Sequence, residues 1–347
     1  MNPNMERIIN EAPDNLAIQN TLFNMDLKLD QYLHPACSIS GGSDSDIMID
    51  VIERVRGDRP VKYVFFDTGI EYEATKQHLD DLERRYGIEI IRRNAKVPVP
   101  LGCKQFGVPF LSKRVAMDIK RLQSHGFQWE DEPFEVLCKR YPDCSSALKW
   151  WCNRWELDNG KESKYNIKRL AYLKEFMIAN PPNFPISDEC CEGAKKSTAR
   201  TIDEELDCDM KILGLRQAEN GIRSTSLSNC FSPPGKDGGI AYFRPLWYWT
   251  DEDKALYKAH YGITYSDCYE VWGFKRTGCA GCPFNSRFDE EIKTIAQYEP
   301  RLSTAVQNIF GASYEYARAY REYRERRKAE YRERRKEVEG QERWEDV

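Results

Sequence analysis

Three groups of residues in this sequence have the types and spacing that chemistry needs. The first is Ser40-Gly41-Gly42-Ser43-Asp44-Ser45. A glycine pair between a strand and a helix lets the backbone turn tightly and aim several N–H groups into one concavity, where the helix dipole favours negative charge. Such a loop cradles phosphate; on glycine alone it is equally a turn with a helix cap. Asp44 adds a carboxylate suited to a magnesium ion on the phosphates, and Ser40, Ser43 and Ser45 add short hydroxyl donors. The second group is thiols: Cys190-Cys191, followed by Lys195-Lys196, and the unit Cys279-Ala280-Gly281-Cys282. Reduced cysteines so arranged point to a metal or to catalysis. Four-cysteine zinc is one reading, although adjacent cysteines are awkward around a tetrahedral ion, and buried free thiols are another. Cys230 and Cys268 offer a competing, more local set. The third group is the run from Leu213 to Arg223, where Arg216 and Arg223 carry guanidinium forks that match phosphate or sulfate. A surface salt-bridge cluster is its plainer reading.

The elements that must position these residues follow from pattern. Ala36-Cys37-Ser38-Ile39-Ser40 predicts a short buried strand, and the stretch from Asp46 to Ile52 a helix, so strand, glycine turn and helix come in the required order. A second strand is expected over Val61 to Phe66, a helix over 71–86, a third strand over Ile88 to Ile91, and a later one at Met210 to Gly214. Strands alternating with helices predict an α/β fold with a mostly parallel sheet flanked by helices, Rossmann-like, with helical N- and C-terminal extensions. Residues 1–34 are expected as a helical extension, 35–310 as the main domain and 311–347 as a charged C-terminal helix. An insertion over 93–160 includes a Trp- and Cys-rich stretch without evident chemistry. Helices are also expected over about 164–179 and from Thr250 onward, where the cap and acidic first turn are in place.

The bulk numbers bound the rest. At 347 residues the chain can bury a full α/β core, and its formal charge of −4 gives no general pull toward nucleic acid or membrane. No apolar run approaches the ~18 residues that cross a bilayer, and the first residues lack a charged-then-apolar secretory pattern. A cytoplasmic protein with 12 reduced cysteines and no membrane partner is the expectation. The arginines and lysines between Arg318 and Lys336 make a nucleic-acid contact conceivable, while interleaved glutamates fit a solvated helix.

The loop at 40–45, with Phe66-Asp67-Thr68-Gly69 and Thr75 behind it, resembles the phosphoadenylyl-sulfate reductase family of the PP-loop ATP pyrophosphatase superfamily. The resemblance covers about 36–290, with the insertion over 93–160 outside it. It implies that an adenine nucleotide is bound by the loop and by Asp67, Thr68 and Gly69. Arg216 and Arg223, with Lys195 and Lys196, then hold its anionic groups, and Asp44, Arg216 and Arg223 act in catalysis. Cys190, Cys191, Cys279 and Cys282 resemble the ligands of a four-iron four-sulfur ([4Fe–4S]) cluster. Family reductases end with a nucleophilic cysteine, and no cysteine follows Cys282 here. The resemblance therefore implies ATP, magnesium and release of pyrophosphate in sulfur transfer or thiolation, with a sulfur donor or reductant protein as partner. Sulfonucleotide reduction through a nonstandard cysteine such as Cys230 or Cys268 is the alternative, and a nucleotide- and cluster-binding sensor is a third reading.

Overall fold

A computed structural model describes residues 3–156, 160–219, 227, 229–236 and 238–345. Two compact units divide the chain, each drawn from separate stretches. The first comprises Met1–Val99, Cys191–Ala280 and Lys293–Leu302; the second comprises Pro100–Cys190, Gly281–Ile292 and Ser303–Val347.

The first unit is built on one sheet. Strands β1 (Pro35–Ile39), β2 (Lys62–Asp67), β3 (Ile90–Asn94), β4 (Met210–Leu213), β5 (Phe231–Ser232) and β6 (Ala241–Phe243) lie in the order β3-β2-β1-β4-β6-β5. Every pairing is parallel except β5 with β6. Parallel strands are covered on both faces, which is why β1 and β4 read as short apolar runs. Successive strands run outward from β1 in one direction to β3 and in the other through β4 to β6. The direction of winding therefore reverses between β1 and β4, where ligands of open α/β sheets collect.

Helices α1 (Met5–Asn10), α2 (Leu16–Gln31), α3 (Ser43–Val55) and α4 (Glu73–Tyr86) belong to the same unit. Asn15 caps α2 by accepting from the Ile18 amide, and α4 stops at Gly87 in a left-handed conformation. Ile47, Met48, Val51, Ile52 and Val55 of α3 are fully buried against the sheet and α2, each stabilising by roughly 1.5–3 kcal/mol. Asp50 sits in this apolar helix because it is satisfied. It accepts from Arg54, from the Tyr86 hydroxyl at 2.9 Å and from the Tyr257 hydroxyl at 2.7 Å. The Tyr257 bond pins the helix Asp251–Tyr261 against α3; that helix starts at a capping box made by Thr250 and Asp253.

Two expected elements are displaced. The third strand runs Ile90–Asn94 rather than from Ile88, because its outer half, Arg92 to Asn94, is a charged sheet edge that carries no apolar signal. Arg92 there pairs with Asp80 and Glu83. Of the helix expected over 164–179, only Leu173–Ala179 is α-helical, preceded by a 3-10 turn at Ile167–Arg169. Tyr172, with φ of 61°, breaks the run.

The second unit is mainly helical, with Lys113–Ser124, Phe134–Arg140, Ser145–Trp151 and Leu173–Ala179 joined by the greater part of Pro300–Glu345. The Trp- and Cys-rich stretch is its core: Phe127 meets Trp129, Tyr141 and Trp151 edge-on at 5.2–5.7 Å, and Trp150 and Trp151 are fully buried. Its role is packing. Tyr316, Tyr320 and Tyr323 of the long helix line up on Phe176, as their spacing predicts. Among the described residues no helix is long and apolar enough to cross a membrane.

Candidate functional site

The loop after β1 turns through Gly41 at φ +63°. A Cβ there would stand 2.5 Å from Cγ2 of Thr75, so glycine is required both by conformation and by the close approach of α4. A Cβ on Gly42 would meet the Tyr269 hydroxyl at 3.1 Å and Oγ1 of Ser40 and Thr277 at 3.3 Å. The loop closes on itself: the Ser40 amide donates to Ser45 Oγ at 2.9 Å, and the Ser45 amide donates to the Gly42 carbonyl at 2.8 Å. The Asp46 amide shares that carbonyl at 3.2 Å, and the aligned peptide dipoles make this end of α3 electropositive. The loop stands at the β1/β4 reversal, and Gly214, just after β4, lies against Asp44 and Met48.

Charge around the loop is balanced in pairs. Asp44 Oδ1 lies 2.5 Å from Lys254 Nζ and 3.2 Å from Arg216 Nε. Lys254 also donates to Ser43 Oγ at 2.9 Å. Arg216, buried, spends the rest of its fork on Asp251 at 2.9 Å and on the Trp249 carbonyl at 3.4 Å. Burial works against the guanidinium charge, but Asp44 and Asp251 outweigh it and raise its affinity for the proton. A carboxylate flanked by two cations fits a charge-paired support of the loop. Arg216 belongs beside the loop, as the resemblance implies, but it grips Asp44. Arg223 lies outside the described residues.

Behind the loop, His78 of α4 meets Asp46 of α3 at 2.9 Å. Both are buried, and Asp46 Oδ1 has no hydrogen-bond partner. Burial pushes Asp46 up; for His78, burial pulls down, and the hydrogen bond and charge of Asp46 prevail and raise it.

The loop after β2 has another character. Gly69, at φ +86°, donates its amide to Asp67 at 2.8 Å, and Asp67 pairs with Lys76 at 3.1 Å. Thr68 is buried and donates from Oγ1 to Glu71 at 2.5 Å. The Ala280 amide donates to the Ile70 carbonyl at 3.0 Å. In that segment the Cys279 thiol bonds with the Thr68 side chain and lies within the electrostatic reach of Lys195, Glu71 and Cys191. Burial raises the Cys279 thiol, opposed by the Lys195 ammonium and the Thr68 hydroxyl. Cys191 opens a π-helical turn, Glu192–Lys196, which turns Lys195 toward this group. Lys196 faces solvent and pairs with Glu192 at 3.0 Å.

Of the four expected metal ligands, Cys191 and Cys279 fall in the first unit, while Cys190 and Cys282 belong to the second. Cys282 lies near Tyr314, whose hydroxyl donates to the Gly281 carbonyl. Among the described residues no group of three or more His, Cys, Asp or Glu side chains converges as a metal centre. What supports a cluster is therefore the residue types and the Lys195 charge acting on Cys279, not a gathered set of four thiols. Cys268 is fully buried, its thiol pushed up to about 12 by burial, and is a poor nucleophile at neutral pH. Cys138 and Cys152 are only partly buried.

Lys254, Tyr269, Thr277 and Glu71 escaped sequence reading. The cap at Thr250 put Lys254 in the first turn of a helix, but only the bond from Tyr257 to Asp50 turns that turn toward the loop. The basic helix spends much of its charge internally: Arg318 and Arg321 pair with Asp289, Arg327 with Glu175 and Glu330, and Lys328 with Glu325. Two open surface cavities, of about 430 and 460 Å³, lie in the second unit around Asp131, Asn153 and Lys174, and no residue of either loop lines them.

Comparison with known proteins bears on residues around the first loop. Residues 34–110 match the phosphoadenosine phosphosulfate reductase domain. An uncharacterised protein of Methanocaldococcus jannaschii is 34% identical over 149 residues, 42% of this chain and 28% of that protein. An uncharacterised 37.8 kDa protein of Escherichia phage 186 is 27% identical over 290 residues, 76% of this chain and 73% of that one. The chain thus spans little more than a quarter of the archaeal relative. Among solved structures, phosphoadenylyl-sulfate reductase from Candida auris in a phosphate complex aligns at a TM-score of 0.41 and 15% identity, over 79% of this chain and 93% of that one. The U34-tRNA thiolase NcsA from Methanococcus maripaludis, with its [4Fe–4S] cluster, aligns at 0.36 and 12% identity, over 89% and 80%.

Proposed function

From the match of residues 34–110 to the phosphoadenosine phosphosulfate reductase domain, we propose that the chain is an enzyme of that family that binds ATP at the loop after β1. It releases pyrophosphate in a sulfur-transfer or thiolation reaction. The observation that carries this reading is the glycine turn at the β1/β4 reversal, with Lys254 and the N-terminus of α3 beside it. A β,γ-pyrophosphate accepted there leaves the α-phosphorus facing outward from the strand ends, where an acceptor can attack it. Amides and cations held in place before reaction stabilise the charge that develops on the departing pyrophosphate.

Cys279 and Cys191 stand at the end of the neighbouring strand. The resemblance assigns Cys190, Cys191, Cys279 and Cys282 to a [4Fe–4S] cluster, which when bound would supply an iron site for sulfur. Lys195 offsets the thiolate charge, and Thr68 and Glu71 orient the Cys279 segment. A sulfur donor or reductant protein is the partner this chemistry needs. Sulfonucleotide reduction is the competing reading, favoured by the family's name; the high thiol affinity of Cys268 for its proton counts against that residue as its nucleophile.

The test is anaerobic purification, iron, zinc and sulfide analysis, then incubation with ATP or with adenylyl sulfate and its 3′-phosphorylated form. Pyrophosphate formed from ATP, in protein carrying iron and acid-labile sulfide, is the expected outcome. Sulfite from a sulfonucleotide, with no pyrophosphate from ATP, would overturn it.

A further inference from the structure

Lys254 does not belong to the loop's own sequence, yet its ammonium stands at the loop's mouth, 2.5 Å from Asp44 Oδ1 and 2.9 Å from Ser43 Oγ. Its side chain is only 14% exposed. We propose that Lys254 is a phosphate ligand of the loop: in the structure its ammonium neutralises Asp44, and an incoming polyphosphate takes it over. The inference rests on the nucleotide reading above and names the residue that discriminates a polyphosphate from a neutral nucleoside.

The argument is one of charge and freedom. Asp44 and Asp251 balance Arg216 and Lys254, so a polyanion approaching this network meets no net attraction except from the end of α3. One of the two cations must turn to the ligand. Arg216 is tied on three sides, to Asp44, Asp251 and the Trp249 carbonyl, and its fork is planar and fixed. Lys254 is a point charge on a four-carbon stem whose partners, Asp44 and Ser43, both lie on the loop itself. Its transfer leaves Asp44 with Arg216 at 3.2 Å, so no buried carboxylate is stranded. Tyr257, three residues on along the same helix face, stays bonded to buried Asp50 and keeps the helix in place while the lysine moves. Ser43 is the residue the ammonium already touches at the helix N-terminus, so the shift is short.

Calorimetry with the full chain and three probes, ATP, inorganic pyrophosphate and adenosine, tests the proposal. Lys254→Met should weaken ATP and pyrophosphate by roughly 10- to 100-fold, the loss expected for a hydrogen bond to a charged group. Adenosine binding should be unchanged, and Lys254→Arg should recover most of the affinity. A lysine that served only to neutralise Asp44 would behave differently in the double variant Asp44→Asn/Lys254→Met, where binding would return to wild type. Persistence of weak pyrophosphate binding in the double variant supports direct contact. Melting curves without ligand report whether each variant is folded; should Lys254→Met fail to fold, Lys254→Gln takes its place. Wild-type affinity for pyrophosphate in Lys254→Met, or its recovery in the double variant, overturns the proposal while leaving ATP binding intact. Failure of the wild-type protein to bind either ATP or pyrophosphate overturns the nucleotide reading itself, and the inference with it.

Discussion

After β1 the chain gathers charges that answer one another: Asp44 between Lys254 and Arg216, Arg216 onward to Asp251, all at the start of a thirteen-residue helix. After β2, one strand away, it gathers groups that prefer to be neutral: Cys279, with its thiol raised by burial, beside Glu71, raised for the same reason, with Lys195 as the opposing cation. The two loops share a parallel register, β1 Ile39 opposite β2 Phe65, and each turns through a left-handed glycine, Gly41 and Gly69. What differs is what approaches them. The first is met by helix N-termini and long cationic side chains, the second by the C-x-x-C segment hydrogen-bonded to Ile70. One site is set up to exchange an internal carboxylate for an external anion; the other is set up to keep protons until something displaces them.

Gly41→Ala is the most damaging way to test that contrast. Forcing a side chain into the left-handed region costs about 1–2 kcal/mol, and the new Cβ at 2.5 Å from Thr75 brings the expected loss to about 3 kcal/mol. Urea unfolding measures it, and adding Thr75→Ser should return only the steric share. A loss under 1 kcal/mol would mean that the turn is not held as described.

The buried pair behind the first loop gives a pH signature. His78 is raised above its ordinary value, so the stability it contributes is fully present below about pH 6.5. That contribution is lost as pH rises through the higher folded value. Wild-type unfolding free energy should therefore decline from pH 6 toward pH 9. His78→Leu strands Asp46 and costs about 2 kcal/mol at pH 6, and the double variant Asp46→Asn/His78→Leu, which has neither titrating group, loses the decline. An equal decline in the double variant would assign the pH dependence elsewhere.

The smallest effect is expected at the second loop. Glu71→Gln keeps an acceptor for Thr68 Oγ1 and removes a charge the site already disfavours, so stability should change by less than about 0.5 kcal/mol. A loss above 2 kcal/mol would show that Glu71 works as a charged partner of Lys195, and the contrast between the loops would narrow.

Much of this was legible beforehand where the pattern is local. Strand, glycine pair and helix at 36–52, the later strand at Met210, the cap at Thr250 and the tyrosines on the long helix all follow from spacing that each segment carries within itself. Signals failed where a residue's role depends on a distant partner. Arg216 reads as an anion binder until Asp251 and Asp44 occupy it. The tryptophans at 150 and 151 read as unexplained until Phe127 and Trp129 pack on them. Arg318 and Arg321 suggest a phosphate partner until Asp289, far back in the sequence, takes their charge.

By itself the sequence determined that Gly41 and Gly42 stand between a strand and a helix, because backbone freedom and helix capping act over a few residues. It likewise paired each cysteine of interest with a near neighbour, Cys190 with Cys191 and Cys279 with Cys282, along the chain. Only the tertiary structure decided that Lys254 faces Asp44 and that Cys279 bonds with Thr68. Those meetings depend on how helices are turned about their axes by contacts such as Tyr257 with Asp50 and Ala280 with Ile70. Rotation of that kind is set by packing and hydrogen bonds between residues remote in the chain, which no local pattern encodes.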